Sequence, residues 1–236
     1  MRKILILLVF FSIQAFGQDL DSIPKNEIPL KIKELDLLLK TGPNLKYLSI
    51  RGYLRYRIGD YDNALVDYNN AIATDPNIYL LFYYRAILKN KLEDYQGAIL
   101  DYNKSIELNP SGFKSYYNRA IIKTELGDIK GAIADYSKTI EIDSNNKFAY
   151  HNRGRLKREQ KLYKEAIVDL NKSIEIDSSY VPSIHDRALA RASMGNKTAI
   201  DDFNRVILLD PTNGEAYANR ALFYILIKLK VTIVPI

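Results

Sequence analysis

Arg119 and Asp135 are the first residues of this chain to invite a chemical reading. They stand sixteen positions apart in 117-YNRAIIKTELGDIKGAIADY-136, a stretch otherwise patterned with apolar side chains. A guanidinium fork facing a carboxylate can grip an anion, orient a substrate or lock two helices together through charge-assisted hydrogen bonds. His151 and His185 are the only two histidines and the other candidates for chemistry. A metal would need their ring nitrogens within about 4 Å of each other, with further ligands. Helix axes pack ~8–10 Å apart, and no carboxylate cluster accompanies the pair. Cysteine is absent, which removes disulfides, thiolate metal sites and a thiol nucleophile. No catalytic constellation, metal site or cofactor is expected, and the chain does not read as an enzyme.

Repetition supplies the context. The stretches 49-SIRGYLRYRIGDYDNALVDY-68, 83-YYRAILKNKLEDYQGAILDY-102, 117-YNRAIIKTELGDIKGAIADY-136 and 151-HNRGRLKREQKLYKEAIVDL-170 align at a period of 34 residues. A fifth copy, 185-HDRALARASMGNKTAIDDF-203, is one residue shorter, and a sixth begins at 214-GEAYANRALFY-224. A period of this size marks a stacked array in which each unit buries its apolar face only against its neighbours.

Each copy reads as two helices. The first runs about 14 residues and ends at Gly59, Gly127 or Gly195, where a left-handed cap favours glycine. Asp60, Asp94, Asp128 and Asn196 follow as candidate N-caps of the second helix. That helix carries a small residue (Ala64, Ala98, Ala132, Ala166, Ala199) and, four positions on, a bulky one (Tyr68, Tyr102, Tyr136, Leu170, Phe203). The small residue lets two helices approach and the bulky one fills the groove beside them. The second helices stop at Asp75-Pro76, Asn109-Pro110, Asp143-Ser144, Asp177-Ser178 and Asp210-Pro211. No segment has the period of a strand, so the fold class is all-α.

The spacing of Gly52, Gly59, Tyr61, Ala64, Tyr68, Ala71 and Pro76 resembles the tetratricopeptide repeat (TPR), and the other copies match in register. The resemblance covers residues 45–213 as five repeats (45–78, 79–112, 113–146, 147–180 and 181–213), with 214–236 a truncated sixth repeat and tail. It implies a right-handed superhelical solenoid of antiparallel helix pairs, with a concave groove lined by the first helices. It also implies a non-catalytic scaffold for a protein or peptide partner. The chain departs from the family in carrying Arg51, Arg85, Arg119, Arg153, Arg187 and Arg220 where a Leu-like residue is usual. It also has Arg55, Lys89, Lys123, Lys157 and Arg191 where an aromatic is usual.

Arg119 and Asp135 therefore belong to columns. The acidic column is Asp67, Asp101, Asp135, Asp169 and Asp202. From each Asp to the Arg of the following repeat the spacing is 18; within a repeat it is 16, or 15 in the fifth. A structural ladder of Arg85, Arg119, Arg153, Arg187 and Arg220 with these carboxylates is expected, each Asp meeting the Arg of the following repeat. Such pairs would fix stacking register. The rival is a basic stripe, Arg119 with Lys123, gripping an acidic ligand.

Carrying the groove positions over from the resemblance gives a candidate partner-binding lining. It comprises Tyr53, Tyr56, Arg57, Tyr83, Tyr84 and Lys91, then Tyr117, Asn118, His151, Asn152, Arg155 and Arg158, and finally His185. Tyr offers a rigid apolar face with a hydroxyl, and Arg and Asn offer directed hydrogen bonds. Tyr61, Tyr68, Tyr95, Tyr102, Tyr136 and Tyr163 are expected in the core. The family's clamp for a C-terminal carboxylate is not expected: Asn118 and Asn152 sit where its middle Asn belongs, but Tyr117, Ile121, Phe148 and Pro182 occupy the other clamp positions.

The ends differ from the array. MRKILILLVFFSIQAFGQ has a basic start, an apolar run from Ile4 to Ile13 and small residues near Gly17, so residues 1–17 read as a signal peptide cleaved before Gln18. The run is too short for a membrane span of ~20 residues. Export to a bacterial periplasm or beyond is expected. Removing Arg2 and Lys3 lowers the net charge from +6 to +4, a mild bias that does not suggest nucleic-acid binding. Residues 18–28 read as a flexible leader and 29–44 as an N-terminal capping helix. At the other end 221-ALFYILI-227 is apolar all round, which suggests self-association through this end as an alternative role.

Overall fold

A computed structural model describes residues 20–232, with side chains to residue 228. The expected signal peptide, residues 1–17, lies outside the described residues. Among them are twelve α-helices and no strand. They are α1 Ile28–Leu38, α2 Leu45–Arg57, α3 Tyr61–Thr74, α4 Tyr79–Lys91, α5 Tyr95–Leu108 and α6 Phe113–Glu125. Then come α7 Ile129–Ile142, α8 Lys147–Glu159, α9 Tyr163–Ile176, α10 Val181–Ser193, α11 Ala199–Leu209 and α12 Gly214–Thr232. The fold is an all-α array of helix-pair repeats. No helix among the described residues is long and apolar enough to cross a membrane.

The chain divides into two compact units, Met1–Ile122 and Lys123–Ile236. In the first, Ala64, Tyr68 and Ala71 of α3 pack with Leu48 of α2 and with Leu81 and Leu88 of α4. Ala86, Ala98, Tyr102 and Ile122 form the next cluster. In the second unit, Ala188, Ala199 and Phe203 enclose Phe223, beside a cluster of Ile174, Ile184, Val206 and Ala216. Fully buried Leu or Phe side chains such as Leu54 and Phe203 contribute ~1.5–3 kcal/mol each. In the first and fourth repeats the close approach of the paired helices requires glycine, where the other repeats carry Ala86, Ala120 and Ala188. A Cβ at Gly52 would lie 3.1 Å from the Tyr68 ring, and one at Gly154 would lie 2.9 Å from Leu170.

The first helices end in the left-handed conformation the glycines predicted, at Gly59, Gly127 and Gly195. The equivalent positions of the second and fourth repeats adopt it as well, with Glu93 at φ 62° and Lys161 at φ 61°. The hairpin thus dictates this conformation even where a Cβ disfavours it. At the second-helix starts, Asp94 and Asp128 accept from the backbone N–H of Gly97 and Gly131. Asp60 instead accepts from the Asn63 side chain. Asn196 is no N-cap: α11 begins later, and Asn196 turns the chain by accepting from the Thr198 N–H and hydroxyl.

The ladder exists but its rungs differ from expectation. Asp67, Asp101, Asp169 and Asp202 each meet the Arg of their own repeat, not that of the following one. In the first unit Arg85 Nε and Nη2 donate to the two oxygens of Asp101 at 2.8 and 2.6 Å, and Arg51 grips Asp67 with the same fork. In the second unit Arg153 holds Asp169 at 2.9 and 2.6 Å and Arg187 holds Asp202 at 3.0 and 2.6 Å. The second basic column joins the same carboxylates. Arg55, Lys89, Lys123, Lys157 and Arg191 reach Asp67, Asp101, Asp135, Asp169 and Asp202 at 2.7–2.8 Å. The bidentate fork fits the carboxylate across a hairpin, which leaves Nη1 pointing at the preceding repeat. There Arg85 and Arg119 donate to Asn69 and Asn103, Arg153 to Ser137, and Arg187 and Arg220 to Asn171 and Asn204. Register between repeats is therefore carried by Arg and a neutral acceptor two residues beyond each Asp. Of the basic stripe, Lys123 is held by buried Asp135 and Arg119 donates to Asn103.

The leader departs from expectation most. Residues 20–28 are packed, with Leu20, Ile23 and Ile28 buried against Leu35, Ile50 and Leu54. Leu20–Ser22 forms a single 3-10 turn, which directs Leu20 and Ile23, three residues apart, to one side. Residues 29–44 hold most of α1, a second 3-10 turn at Leu39–Thr41 and the Asn44 N-cap of α2. From α1, Asp36 takes Nη1 of Arg51, where later repeats use Asn or Ser.

Candidate functional site

The candidate lining sits on the first helix of each repeat, on positions the ladder does not use. In the first unit it is a tyrosine surface. Tyr53, Tyr56, Tyr83 and Tyr84 are half-buried and in ring contact: Tyr53 meets Tyr56 at 6.5 Å and Tyr84 at 6.1 Å, and Tyr83 meets Tyr84 at 5.3 Å. Beneath them Tyr84 stacks on buried Tyr68 at 5.9 Å, and Tyr83 leans on buried Tyr102 at 6.1 Å. Edge and offset contacts of this kind suit the ring quadrupole and hold the surface rigid. Burial is the main reason the hydroxyls of Tyr53, Tyr68, Tyr83, Tyr84 and Tyr102 ionise above the usual tyrosine range. Asp21, which accepts from the Tyr53 hydroxyl, pushes that group up further. Lys91 is exposed at the end of α4, and Tyr117 is half-buried.

Asn118 donates to the Tyr83 hydroxyl at 3.3 Å, one repeat back. The second unit repeats that link with other chemistry. His151 bonds Asp186 at 2.9 Å, and His185 lies 3.4 Å from the Asn219 amide. In each case the ring of one repeat meets the polar residue one column over on the next first helix. His151 and Asp186 are buried, and Arg158 completes a His–Asp–Arg cluster at 3.1 Å from the carboxylate. His151 is thus a buried cross-link and not the open groove residue expected. The two imidazoles go to different partners, and no group of metal-ligating residues forms among the described residues. Asn152 is half-buried, and Arg155 pairs with Glu159 along α8 at 3.3 Å.

Sequence reasoning missed Asp186 and the leader residues. Asp186 was legible, since it stands in the column of Asn118 and Asn152. The leader was not, because two apolar residues in a polar segment have no period. Arg57 donates to the carbonyls of Leu20 and, at 2.9 Å, Ile23.

Family models carrying the description "Tetratricopeptide repeat" match residues 101–134 and 149–180. The chain is a tetratricopeptide-repeat protein. This TPR chain is similar in fold to the C-terminal part of a TPR repeat-containing protein from Cytophaga hutchinsonii. The TM-score is 0.74 at 20% identity, covering 87% of this chain and 86% of that one. It is also similar to YrrB, described as a TPR protein with an unusual peptide-binding site (TM-score 0.70, 15% identity, 79% and 97% covered). A third is a tetratricopeptide repeat protein from Parabacteroides merdae (TM-score 0.69, 23% identity, 77% and 72% covered). At these identities the likeness speaks for the fold. No curated protein matches the chain in sequence. TPR proteins are generally non-catalytic scaffolds for protein or peptide partners.

Proposed function

We propose that this chain is an exported, non-catalytic TPR scaffold that binds an extended peptide or a partner's helix along its first-helix faces. The observation that carries the reading is the half-exposed tyrosine surface of Tyr53, Tyr56, Tyr83 and Tyr84, rigidly backed yet outside the ladder. Tyrosines held this way present apolar area and hydroxyls at little entropic cost. Export rests on the signal-like residues 1–17.

The test selects binding peptides from a displayed library against the full chain. They are then measured against Tyr56→Ala and Arg155→Ala, one change in each unit, with helicity confirmed by circular dichroism. Loss of affinity in either variant supports the reading. Unchanged affinity in both would sink it. For export, N-terminal sequencing of the protein recovered from a Gram-negative host's periplasm should begin at Gln18; a chain retained with Met1 overturns that part.

A second reading, self-association, is favoured by α12. Leu222, Ile225 and Leu226 are exposed on it, and Arg220 donates to Asn204 with no carboxylate partner among the described residues. Mass measured by light scattering should then rise with concentration. A constant monomer mass over the accessible range removes this reading.

A further inference from the structure

The first repeat already holds a peptide, and it is the chain's own. Residues 20–27 lie on α2 as a short ligand would. Leu20 and Ile23 insert into an apolar patch with Ile50 and Leu54. The main chain is read by Arg57, whose Nη1 and Nη2 donate to the carbonyls of Leu20 and Ile23. The one acidic side chain between them, Asp21, accepts from the Tyr53 hydroxyl. Arg57 and Tyr53 both belong to the lining assigned to a partner. The segment leaves by a turn at Pro24, where the Glu27 N–H returns to the Pro24 carbonyl at 2.9 Å, and α1 follows at Ile28. The features used are an apolar residue, an acid, a spacer and a second apolar residue, with two carbonyls presented to a guanidinium.

We propose that residues 20–27 are a built-in pseudo-ligand, and that the face they cover takes partner peptides of the same apolar–acidic–x–apolar type by displacing them. The proposal rests on the groove-binding reading above and names the ligand class for the first repeat. Alternatives fit less well. If the segment served only to cover apolar surface, Leu20 and Ile23 would suffice, and an Arg fork on two carbonyls with a phenol on the acid would be superfluous. Tethered to α1 by no more than a turn, the segment competes at an effective concentration on the order of mM. A partner must therefore exceed its fit or bind several repeats at once. Such a strap makes the resting face closed and the bound state conditional on a matching sequence.

The experiment uses a fluorescein-labelled peptide, QDLDSIPKNE, titrated by fluorescence anisotropy into the full chain and into a Leu20→Ala/Ile23→Ala variant. Ile28 is left intact so that α1 stays seated, and helicity is checked for every variant. The expected result is at least about tenfold tighter binding to the loosened variant than to the parent, following the freed apolar contacts. In the loosened background, Arg57→Ala and the milder Arg57→Lys should each weaken binding. Tyr53→Phe should do so for this peptide but not for one with alanine in place of its second aspartate. That coupling separates recognition from a general loss of structure.

Equal binding to parent and loosened chain, no binding to either, or indifference to Arg57 and Tyr53 each overturn the proposal. Peptides selected from the library serve as the control. If they bind through other first helices while QDLDSIPKNE binds nowhere, the strap inference fails and the scaffold reading stands. If no peptide binds at all, the scaffold reading fails too.

Discussion

The two units share a skeleton and differ in what they build on it. Each has Arg forks on buried Asp residues, a second cation on the same carboxylate and a neutral acceptor one repeat back. On the first-helix faces they diverge. The first unit carries twelve of the 18 tyrosines, and the second carries both histidines. The same inter-repeat position is a phenol on an amide at Tyr83–Asn118 and an imidazole on a carboxylate at His151–Asp186. The lesson is that repeat register is held by a device blind to the exposed face, so that face is free to change chemistry from repeat to repeat.

The sharpest way to break this comparison is to attack the shared part. Asp67→Ala in the first unit and Asp169→Ala in the second each remove the buried carboxylate that two part-buried cations share, with Asp36 still facing Arg51 in the first. Each should cost ~3–5 kcal/mol in urea unfolding. A near-neutral result in one unit alone would show that the ladders are not equivalent. The divergent part should cost less. Asp186→Ala strands His151 and Arg158 and should cost ~1–3 kcal/mol, whereas Tyr83→Phe removes one neutral hydrogen bond and should cost ~0.5–1.5 kcal/mol.

Alkaline titration followed at 295 nm sharpens the contrast further. Burial raises the ionisation of Tyr53, Tyr68, Tyr79, Tyr83, Tyr84 and Tyr102 in the first unit, and of Tyr180 in the second. A raised phenol stabilises the fold fully below its unfolded value of about 10 and loses that contribution as pH climbs through the folded value. The first unit should therefore hold protons well past the point at which the urea-unfolded chain ionises, and should lose the larger share of its stability at high pH. Ionisation of all these phenols at the unfolded value in the folded chain would contradict their burial. The smallest effect concerns the left-handed caps. Glu93→Gly and Lys161→Gly should each raise stability, by ~0.5–1 kcal/mol, because glycine relieves the strain of positive φ; a loss at either would mean the side chain contributes more than the strain costs.

Much of the array was legible in the chain. The 34-residue period, the alanine and bulky columns and the glycine stops together imply helix hairpins, because side-chain pattern and cap chemistry are local. The cores at Tyr68, Tyr102 and Phe203 follow from the same columns. The candidate site was less legible. Tyr53, Tyr56, Tyr83 and Tyr84 were picked out as a set, but spacing does not say that Asp186 buries His151, nor that Asp21 and two carbonyls meet Tyr53 and Arg57. Those contacts join positions about 35 apart, where only the packed helices decide which side chains face.

By itself, then, the sequence determined that this is an all-α array of TPR hairpins, with Arg and Asp placed to pair. Periodicity is a one-dimensional property, and each helix needs only its own residues to declare its apolar face. Tertiary structure alone decided which Arg each Asp meets. Spacings of 16 and 18 both bring the two onto neighbouring helices, and the direction of the guanidinium fork across its own hairpin chose the first. It also decided that a polar-looking leader packs as a strap, since two buried side chains and three hydrogen bonds become worthwhile only once α2 is there to receive them.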